Sequence, residues 1–311
     1  MNTLLAGRTP AVKKNNTEGR KLFFMVVPFL VFNFMFGYVP LFGWVYAFFR
    51  YVPGIPLSKT PFAGFGNFAE MFADSGDIGR VMINTLVLSF FNLLTSPMPV
   101  ILAIMLNEVR SRKFKKLIQT TTTLPHFIGW IIVFSLAFSM FSTDGAVNYF
   151  LSLAGITEPV NVLGNNDLVW FFHPLLNLWK NLGWNSIIYL AAIAGIDGEL
   201  YDAAYVDGAG RFRRIWHITV PNVAPTFYVL LLLTVSGLLN AGSGLQQYLV
   251  FNNPMVAERI EVLDLYVYKY GLIKSDYSYA TAVGIMKSFI SILLLFTVNF
   301  TAKRTRGEGI I

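Results

Sequence analysis

The chain has 311 residues, of which 55% are hydrophobic and 13% charged, and this charged fraction is about half of the ~25% typical of a soluble domain. Cysteine is absent, which excludes a disulfide framework, a cysteine-ligated zinc site and an iron–sulfur cluster. The net charge of +7, from 24 Lys and Arg against 17 Asp and Glu, reflects either membrane topology or an anionic cargo. This composition argues against a soluble enzyme and predicts an all-α polytopic membrane protein.

Stretches with few or no charged residues predict six membrane-spanning helices in a single domain, residues 22–302. About 20 residues, at roughly 1.5 Å each, cross a hydrocarbon core of about 30 Å, so each stretch accommodates one crossing. Lys180 interrupts the fourth stretch and Lys287 the sixth. In chain order the stretches are residues 22–49, 81–107, 117–143, 175–194, 223–245 and 280–300.

A polar, basic segment, residues 1–21, precedes the first predicted helix. That helix is too long for the apolar region of a secretory signal and has no clear small-residue cleavage site, so we expect a retained anchor. Between the first two helices, residues 64–72 (GFGNFAEMF) place their Phe residues as in an interfacial helix. This segment either covers the rim of the helix bundle or docks a partner.

Lysine and arginine are distributed unevenly between the two sides of the predicted membrane domain. Of the 24, 16 lie in the N-terminal segment, the loops after the second and fourth helices, and the C-terminal tail, residues 303–311, whereas six lie on the other side. The positive-inside rule places the richer side, with both chain termini, in the cytoplasm. The excess positive charge therefore mostly records topology.

The loop after the fourth predicted helix, residues 197–221, is much longer than a turn. Gly208 and Gly210 separate two short helical stretches, the first acidic and the second basic, which predicts a projecting helix–turn–helix. Pro221 is expected to end this element before the fifth helix begins.

The spacing of fixed residues in this loop carries a resemblance to a known family. Asp202-Ala203-Ala204 is followed by three residues, Gly208, nine residues, Ile218, one residue and Val220-Pro221. This resembles the loop of the membrane subunits of ATP-binding-cassette importers, which reads Glu-Ala-Ala, three residues, Gly, nine residues, Ile, any residue, Leu-Pro. Asp202 and Val220 depart from that form, and the shorter carboxylate of Asp202 changes the reach of its contact.

The resemblance implies that the loop contacts a partner ATPase and transmits its closure to the membrane helices, which alternate between inward-open and outward-open states. Small alanines allow close backbone approach, and aspartates accept hydrogen bonds from basic groups of a partner. The residues expected in this coupling role are Glu199, Asp202, Ala203, Ala204, Asp207, Gly208, Arg211, Ile218 and Pro221.

Other stretches are similar to the carbohydrate branch of these importers, and within it to permeases for complex or acidic oligosaccharides such as the alginate importers. These stretches are residues 107–130, 179–193, 252–256 and 279–288. The resemblance implies an importer permease fold with a cytoplasmic coupling helix, surrounded by lipid in a bacterial cytoplasmic membrane. It also implies a carbohydrate substrate and, as partners, a second permease subunit, two ATPase subunits and an extracytoplasmic solute-binding protein.

No Gly-x-x-x-x-Gly-Lys-Ser/Thr phosphate loop occurs in the sequence. We therefore expect this chain to be a transport subunit without a cofactor of its own, while ATP and Mg bind to the partner ATPase subunits. We expect no nucleic-acid partner. Two alternatives stay open: an ATP-driven importer of a different solute, and a self-sufficient channel or ion-coupled carrier, which would need ionisable residues at the membrane midplane.

The fourth predicted helix carries a polar stripe at i, i+4 spacing, which places its members on one face. Amides in hydrocarbon need partners, so this face either lines a cavity or bonds to another helix. Lys180 and Trp184 form a second i, i+4 pair beside it, a donor with an aromatic ring of the kind that binds sugars. The stripe consists of Asn177, Asn181, Asn185 and Tyr189.

The two lysines within predicted spans, Lys180 and Lys287, have no obvious acidic partner there. Either they snorkel to the headgroups or pair structurally, or they attract the carboxylates of an acidic saccharide. Trp130 and the run Gln246-Gln247-Tyr248 are weaker pathway candidates and more typical of packing or interface anchors.

His126 follows Pro125 near an expected kink in the third predicted helix, His173 precedes Pro174, and His217 lies in the coupling loop. The three form no helical His/Glu pair, and with cysteine absent we expect no metal site. An intramembrane enzyme would need ionisable groups paired deep in the bilayer, which the sequence does not predict.

Overall fold

The structure, a computed structural model, describes residues 16–73, 75–156, 158–240 and 244–306. Within these ranges the chain is almost entirely helical, and its only β pairing is an isolated bridge between Phe49 and Phe62. The all-α prediction is therefore confirmed for this part of the chain. Residues 1–15 of the predicted N-terminal segment, 241–243 of the predicted fifth helix and 307–311 of the predicted C-terminal tail lie outside the described residues.

The chain divides into two units, Met1–Tyr46 and Ala47–Ile311. In the first, helix α1 (Asn16–Asn33) passes into a π-helical turn, Phe34–Tyr38, and then a 3-10 stretch that begins at Val39. Pro40 has no N–H for the helical ladder, which accounts for the departure from α geometry just before it. Apolar side chains of α1 are exposed on all sides, as expected of a segment surrounded by lipid or by other apolar helices.

The second unit contains fourteen further α-helices in its described part, joined by short 3-10 and π-helical turns. They are α2 (Gly66–Ala73), α3 (Ser75–Leu94), α4 (Met98–Glu108), α5 (Arg112–Thr123), α6 (Trp130–Phe141), α7 (Ala146–Leu153), α8 (Val169–Ala194), α9 (Gly198–Val206), α10 (Arg211–Arg214), α11 (Val220–Ser236), α12 (Leu245–Phe251), α13 (Ala257–Ile260), α14 (Leu263–Tyr268) and α15 (Tyr277–Arg306). Helix α2 coincides with the helix predicted at residues 64–72.

Five helical stretches among the described residues are long and apolar enough to cross a membrane. They correspond to the first, second, third, fifth and sixth predicted spans, and they are Gly19–Phe48, Gly76–Glu108, Trp130–Leu153, Arg211–Ser236 and Tyr277–Phe300. The fourth predicted span coincides with α8, which is 26 residues long but more polar because of its asparagine stripe.

The third predicted span, residues 117–143, is wrong as a single helix. Helix α5 ends at Thr123, a 3-10 turn covers Leu124–Phe127, and α6 starts only at Trp130. Pro125 within this turn has no N–H to continue the ladder of α5, and Gly129 precedes α6. The charge-free window showed the length of the apolar stretch, and the kink expected at Pro125 is in fact a full break between two helices.

Helix α8 forms the centre of the second unit. It contacts α3, α4, α5 and α11, and it contributes to two of the three buried apolar clusters. One cluster joins α8 to α6 and α12 through Val169, Val133 and Phe251. Another joins it to α4 and α11 through Tyr189, Ala103 and Val223. Because α8 packs on so many neighbours, a displacement of α8 affects most of the unit.

Candidate functional site

The predicted asparagine stripe of α8 borders a cavity of about 530 Å³. The cavity lies between α8, the end of α3 with the start of α4, and α11. Asn92, Thr95, Ser96 and Thr234 contribute further polar atoms to its wall. All four predicted stripe residues line it: Asn177, Asn181, Asn185 and Tyr189. The i, i+4 spacing therefore identified one face of α8 correctly.

Two amides of the stripe are hydrogen-bonded to each other and to α3. Asn181 Nδ2 donates to Asn177 Oδ1 at 2.6 Å, and Asn177 Nδ2 donates to Asn92 Oδ1 at 2.7 Å. His126 Nδ1 lies 2.9 Å from Asn181 Oδ1; because that oxygen only accepts, the histidine nitrogen donates. Cavity lining and inter-helix bonding, the two alternatives for the stripe, therefore occur together. The hydrogen bonds form a row of four side chains: His126, Asn181, Asn177 and Asn92.

The cavity wall combines polar and apolar side chains and is uncharged. Its described lining residues include no Asp, Glu, Lys, Arg or His. Amides and hydroxyls offer both donors and acceptors, as the hydroxyl groups of a sugar require. Asn185 is exposed at this surface, and its amide is therefore available to a ligand.

Lys180 and Trp184 do not join the stripe at the cavity. Lys180 Nζ donates to the carbonyl oxygens of Pro125 at 3.2 Å and His126 at 2.7 Å. The ring of Trp184 stacks on that of His126, with centroids 4.5 Å apart and an interplanar angle of 2°. Both side chains therefore bind the turn between α5 and α6.

Lys287 of α15 pairs with Asp264 of α14. The expectation that neither lysine has an acidic partner is therefore wrong for Lys287. Asp264 lies in a short helix between the last two predicted spans, so a search confined to the spans missed it. Both side chains are largely buried, at 17% and 23% exposure.

Of the weaker pathway candidates, Trp130, Gln247 and Tyr248 are buried, whereas Gln246 is exposed. Trp130 is buried in the cluster that joins α6, α8 and α12. Gln247 is fully buried, and its Nε2 donates to the backbone oxygen of His173 at 3.0 Å. These placements fit the packing interpretation. Among the residues that the structure describes, no three His, Asp or Glu side chains converge as metal ligands.

The loop at residues 197–221 contains the two helical stretches predicted on either side of its glycines, α9 and α10. Asp197 caps α9, since its side chain accepts a hydrogen bond from the Glu199 N–H at 3.0 Å. Gly208 ends the turn after α9 at φ +72°, in the left-handed region, where glycine has no steric cost.

This loop presents an unusual amount of exposed apolar surface beside its carboxylates. The exposed fractions of Tyr205, Val206 and Phe212 are 72%, 84% and 86%. Asp202, Ala203, Asp207 and Gly208 are exposed as well, and Ala204 is half-buried. Exposed apolar groups next to charged ones are typical of a docking surface.

Pro221 does not end the loop, contrary to the sequence-based expectation. The helical ladder runs from α10 through a π-helical turn, Ile215–Thr219, into α11, where Pro221 occupies the first turn. Pro221 lacks the N–H that would continue this ladder, and the π-helical turn just before it is where the helix departs from α geometry. The second half of the loop, from α10 onward, is therefore a continuous extension of the fifth predicted helix.

Two contacts fasten the loop to the rest of the unit. Arg211 Nε lies 2.5 Å from Glu108 Oε2 at the end of α4, and its guanidinium also donates to the Glu108 backbone oxygen at 3.1 Å. The hydroxyl of Tyr201 is 2.9 Å from that of Thr219. The sequence did not identify four hydrogen-bond or ion-pair partners of the predicted site residues, because each lies far along the chain from the residue it contacts. These partners are Asn92, Glu108, His126 and Asp264.

A chain whose described residues are almost entirely helical, with apolar spans, a partly polar cavity and a projecting helical loop, has the features of a membrane transport permease. Residues 95–307 match the family described as "Binding-protein-dependent transport system inner membrane component". The match covers more than half of the chain, so this protein belongs to that family, and the resemblance found in the loop is confirmed.

Relatives and solved structures agree with this membership. The chain is 40% identical to Protein LplB of Bacillus subtilis (strain 168), over 93% of this chain and 90% of LplB. It is 38% identical to the polygalacturonan/rhamnogalacturonan transport system permease protein YteP of the same organism, over 94% and 91%. A chain of a bacterial alginate ABC transporter, solved with its alginate pentasaccharide-bound periplasmic protein, shares 34% identity with a TM-score of 0.85, over 96% of this chain and 99% of that one.

Proposed function

We propose that the chain is the permease subunit of an ATP-driven importer and forms half of the pathway for an oligosaccharide, with acidic oligosaccharides as the cargo class. The names of YteP and of the alginate transporter support this class. The observation that carries the proposal is the cavity beside α8, whose wall offers amide and hydroxyl groups. Such groups suit hydroxyl-rich ligands.

The energy for import comes from partners. A second permease would complete the pathway, two ATPase subunits would bind ATP and Mg, and an extracytoplasmic solute-binding protein would deliver the sugar. The exposed apolar and acidic surface of α9 and α10 is the proposed ATPase contact, with Asp202, Ala203, Ala204, Asp207 and Gly208 at its centre. The other proposed coupling residues flank this centre along the chain, and they are Glu199, Arg211, Ile218 and Pro221.

Helix α8, the fourth predicted span, is proposed to cross the membrane as well, which brings the number of spans to six. Its 26 residues reach about 39 Å, longer than the hydrocarbon core. Its amides are bonded within the bundle or face the cavity, which is the condition for carrying them through a membrane. With six spans, both termini lie on the same side, and the excess of Lys and Arg makes that side cytoplasmic.

Uptake by the reconstituted complex tests the pathway. We expect Asn185→Ala to lower the uptake of oligosaccharide about tenfold, because an exposed cavity amide no longer contacts the sugar. Asn107→Ala removes an exposed amide outside the cavity and should leave uptake unchanged. Equal rates for the two variants would contradict the pathway.

The cargo class is tested separately with the cognate solute-binding protein. Titration with neutral and uronate-containing oligosaccharides should show tighter binding of the acidic ones. The uncharged cavity wall specifically favours a second candidate, a neutral oligosaccharide. A preference of the binding protein for neutral chains would select that candidate and overturn the acidic cargo.

A further inference from the structure

The break between α5 and α6 interrupts the α-helical ladder; the Pro125 oxygen accepts a 3-10 bond from the Ile128 N–H at 3.3 Å, and no such backbone bond is found for the His126 oxygen in this described turn. In hydrocarbon such carbonyl groups must find donors within the protein. Lys180 supplies donors of this kind, since its ammonium donates to the oxygens of both Pro125 and His126. The lysine is only 6% exposed, and its Nζ also lies 5.5 Å from the ring centroid of Trp130. No ion pair within the described ranges includes it, so carbonyl dipoles and an aromatic face balance its charge.

One turn further along α8, the two backbones touch. A Cβ added at Gly183 would lie 2.3 Å from the carbonyl carbon of Thr122 and 2.4 Å from its oxygen. These are backbone atoms at the end of α5, so a side chain at residue 183 would have to displace the α5 backbone itself. Only glycine therefore permits this approach, and the separation of α8 from α5 is fixed by direct contact.

His126 is held on three sides by the same turn of α8. Its backbone oxygen accepts from Lys180, its Nδ1 donates to Asn181, and its ring stacks on Trp184. Phe127 packs edge-on against Trp184 as well, with centroids 5.6 Å apart. Contacts of three different kinds thus converge on a 3-10 turn that has little regular structure of its own.

Helix α8 continues without interruption from these residues to Ala194, and Asp197 then caps α9. The ten residues after Trp184 extend about 15 Å. This packed, continuous helix is a direct mechanical connection between α9 and the turn between α5 and α6.

We propose that Lys180, Asn181, Gly183 and Trp184 form a clasp, named here the α8 clasp, that makes the broken third span move together with α8 during transport. Lys180 and His126 are then positioning residues of the transport cycle and not ligands of the cargo. The proposal rests on the ATPase contact proposed for α9 and α10, but not on the identity of the sugar.

The test uses the assembled complex in proteoliposomes, with ATP hydrolysis and uptake measured together. Lys180→Gln removes the cation but keeps a donor. We expect its maximal uptake rate to fall about tenfold, with an unchanged half-saturating concentration of loaded binding protein and about tenfold more ATP hydrolysed per sugar. The loss should be equal for neutral and acidic oligosaccharides.

A second pair of variants covers the case in which Lys180→Gln does not assemble. Trp184→Ala removes the ring that stacks on His126, whereas Trp184→Phe keeps an aromatic face. We expect the first to raise the ATP used per sugar and the second to restore the wild-type ratio. Trp179→Ala, at a half-exposed ring of α8 outside the clasp, serves as the control.

Two results would overturn the α8 clasp. One is a raised half-saturating concentration with loss of acidic sugars alone, which would make Lys180 a cargo ligand. The other is a normal ATP-to-sugar ratio in Trp184→Ala and in any assembled Lys180→Gln. Failure of the ATPase contact is recognised separately, since Ala203→Arg would then leave uptake intact.

Discussion

Several charged side chains in the second unit form ion pairs between helical segments, whereas the cavity wall is uncharged. Glu261 accepts from Arg80 at 3.1 Å and from Lys269 at 2.7 Å, and Lys287 pairs with Asp264. These pairs fasten α14 and the residues on either side of it to α3 and α15. Because each ammonium or guanidinium already has its counter-ion, the net attraction for an anionic cargo from this region is small.

The ion pair between Lys287 and Asp264 leads to a prediction about the free energy of unfolding. Removing one partner leaves a largely buried charge without its counter-ion, so Lys287→Met should destabilise the protein by about 3 kcal/mol. Adding Asp264→Leu should recover much of that loss, because both charges are then gone. Thermal unfolding of the purified complex in detergent measures both effects. Lys59→Met, at an exposed lysine, is the matched control, and strictly additive losses in the double variant would count against the pair.

At the scale of elements, local pattern predicted the faces and ends of helices better than their continuity. The i, i+4 spacing of asparagines found the cavity face of α8, and the two glycines found the turn between α9 and α10. Pro125 indicated a kink in the third span, but the full break after Thr123 was missed, because an apolar window extends across the break unchanged. The contacts of Lys180 were missed as well, since they depend on where the broken span lies in three dimensions.

The turn between α9 and α10 gives an element-scale prediction from two neighbouring glycines. Gly208 has φ +72°, whereas Gly210 has an ordinary φ of −66°, and a Cβ at either position meets nothing within 4 Å. Gly208→Ala should therefore cost about 1 kcal/mol by backbone strain and misorient α9, while Gly210→Ala should be tolerated.

The measurement is the ATP hydrolysed per sugar taken up by the reconstituted complex. Gly208→Ala should raise this ratio, and Gly210→Ala should match the wild type. If both variants behave alike, the left-handed turn is not what orients α9 toward its partner.

On the scale of the whole molecule, composition predicted the class and the loop spacing predicted the family, whereas the number of crossings depends on α8. Its asparagines lower its hydropathy, so length and composition recognise five spans among the residues that the structure describes, and α8 is not one of them. Packing supplies the reason to add the sixth: α8 lies among α3, α4, α5 and α11. A polar helix surrounded by apolar ones crosses a membrane without exposing its amides to lipid.

The topology is testable because the chain has no native cysteine, so a single introduced cysteine reports one position. Glu158 precedes α8 and Tyr205 follows it, and both are exposed. In intact cells a membrane-impermeant maleimide should label Glu158→Cys but not Tyr205→Cys, which should react only after the membrane is permeabilised. The positive-inside rule sets that orientation, and an α8 that spans places the two cysteines on opposite sides. Labelling of both without permeabilisation would mean that α8 does not cross, and the protein would then have five spans with its termini on opposite sides.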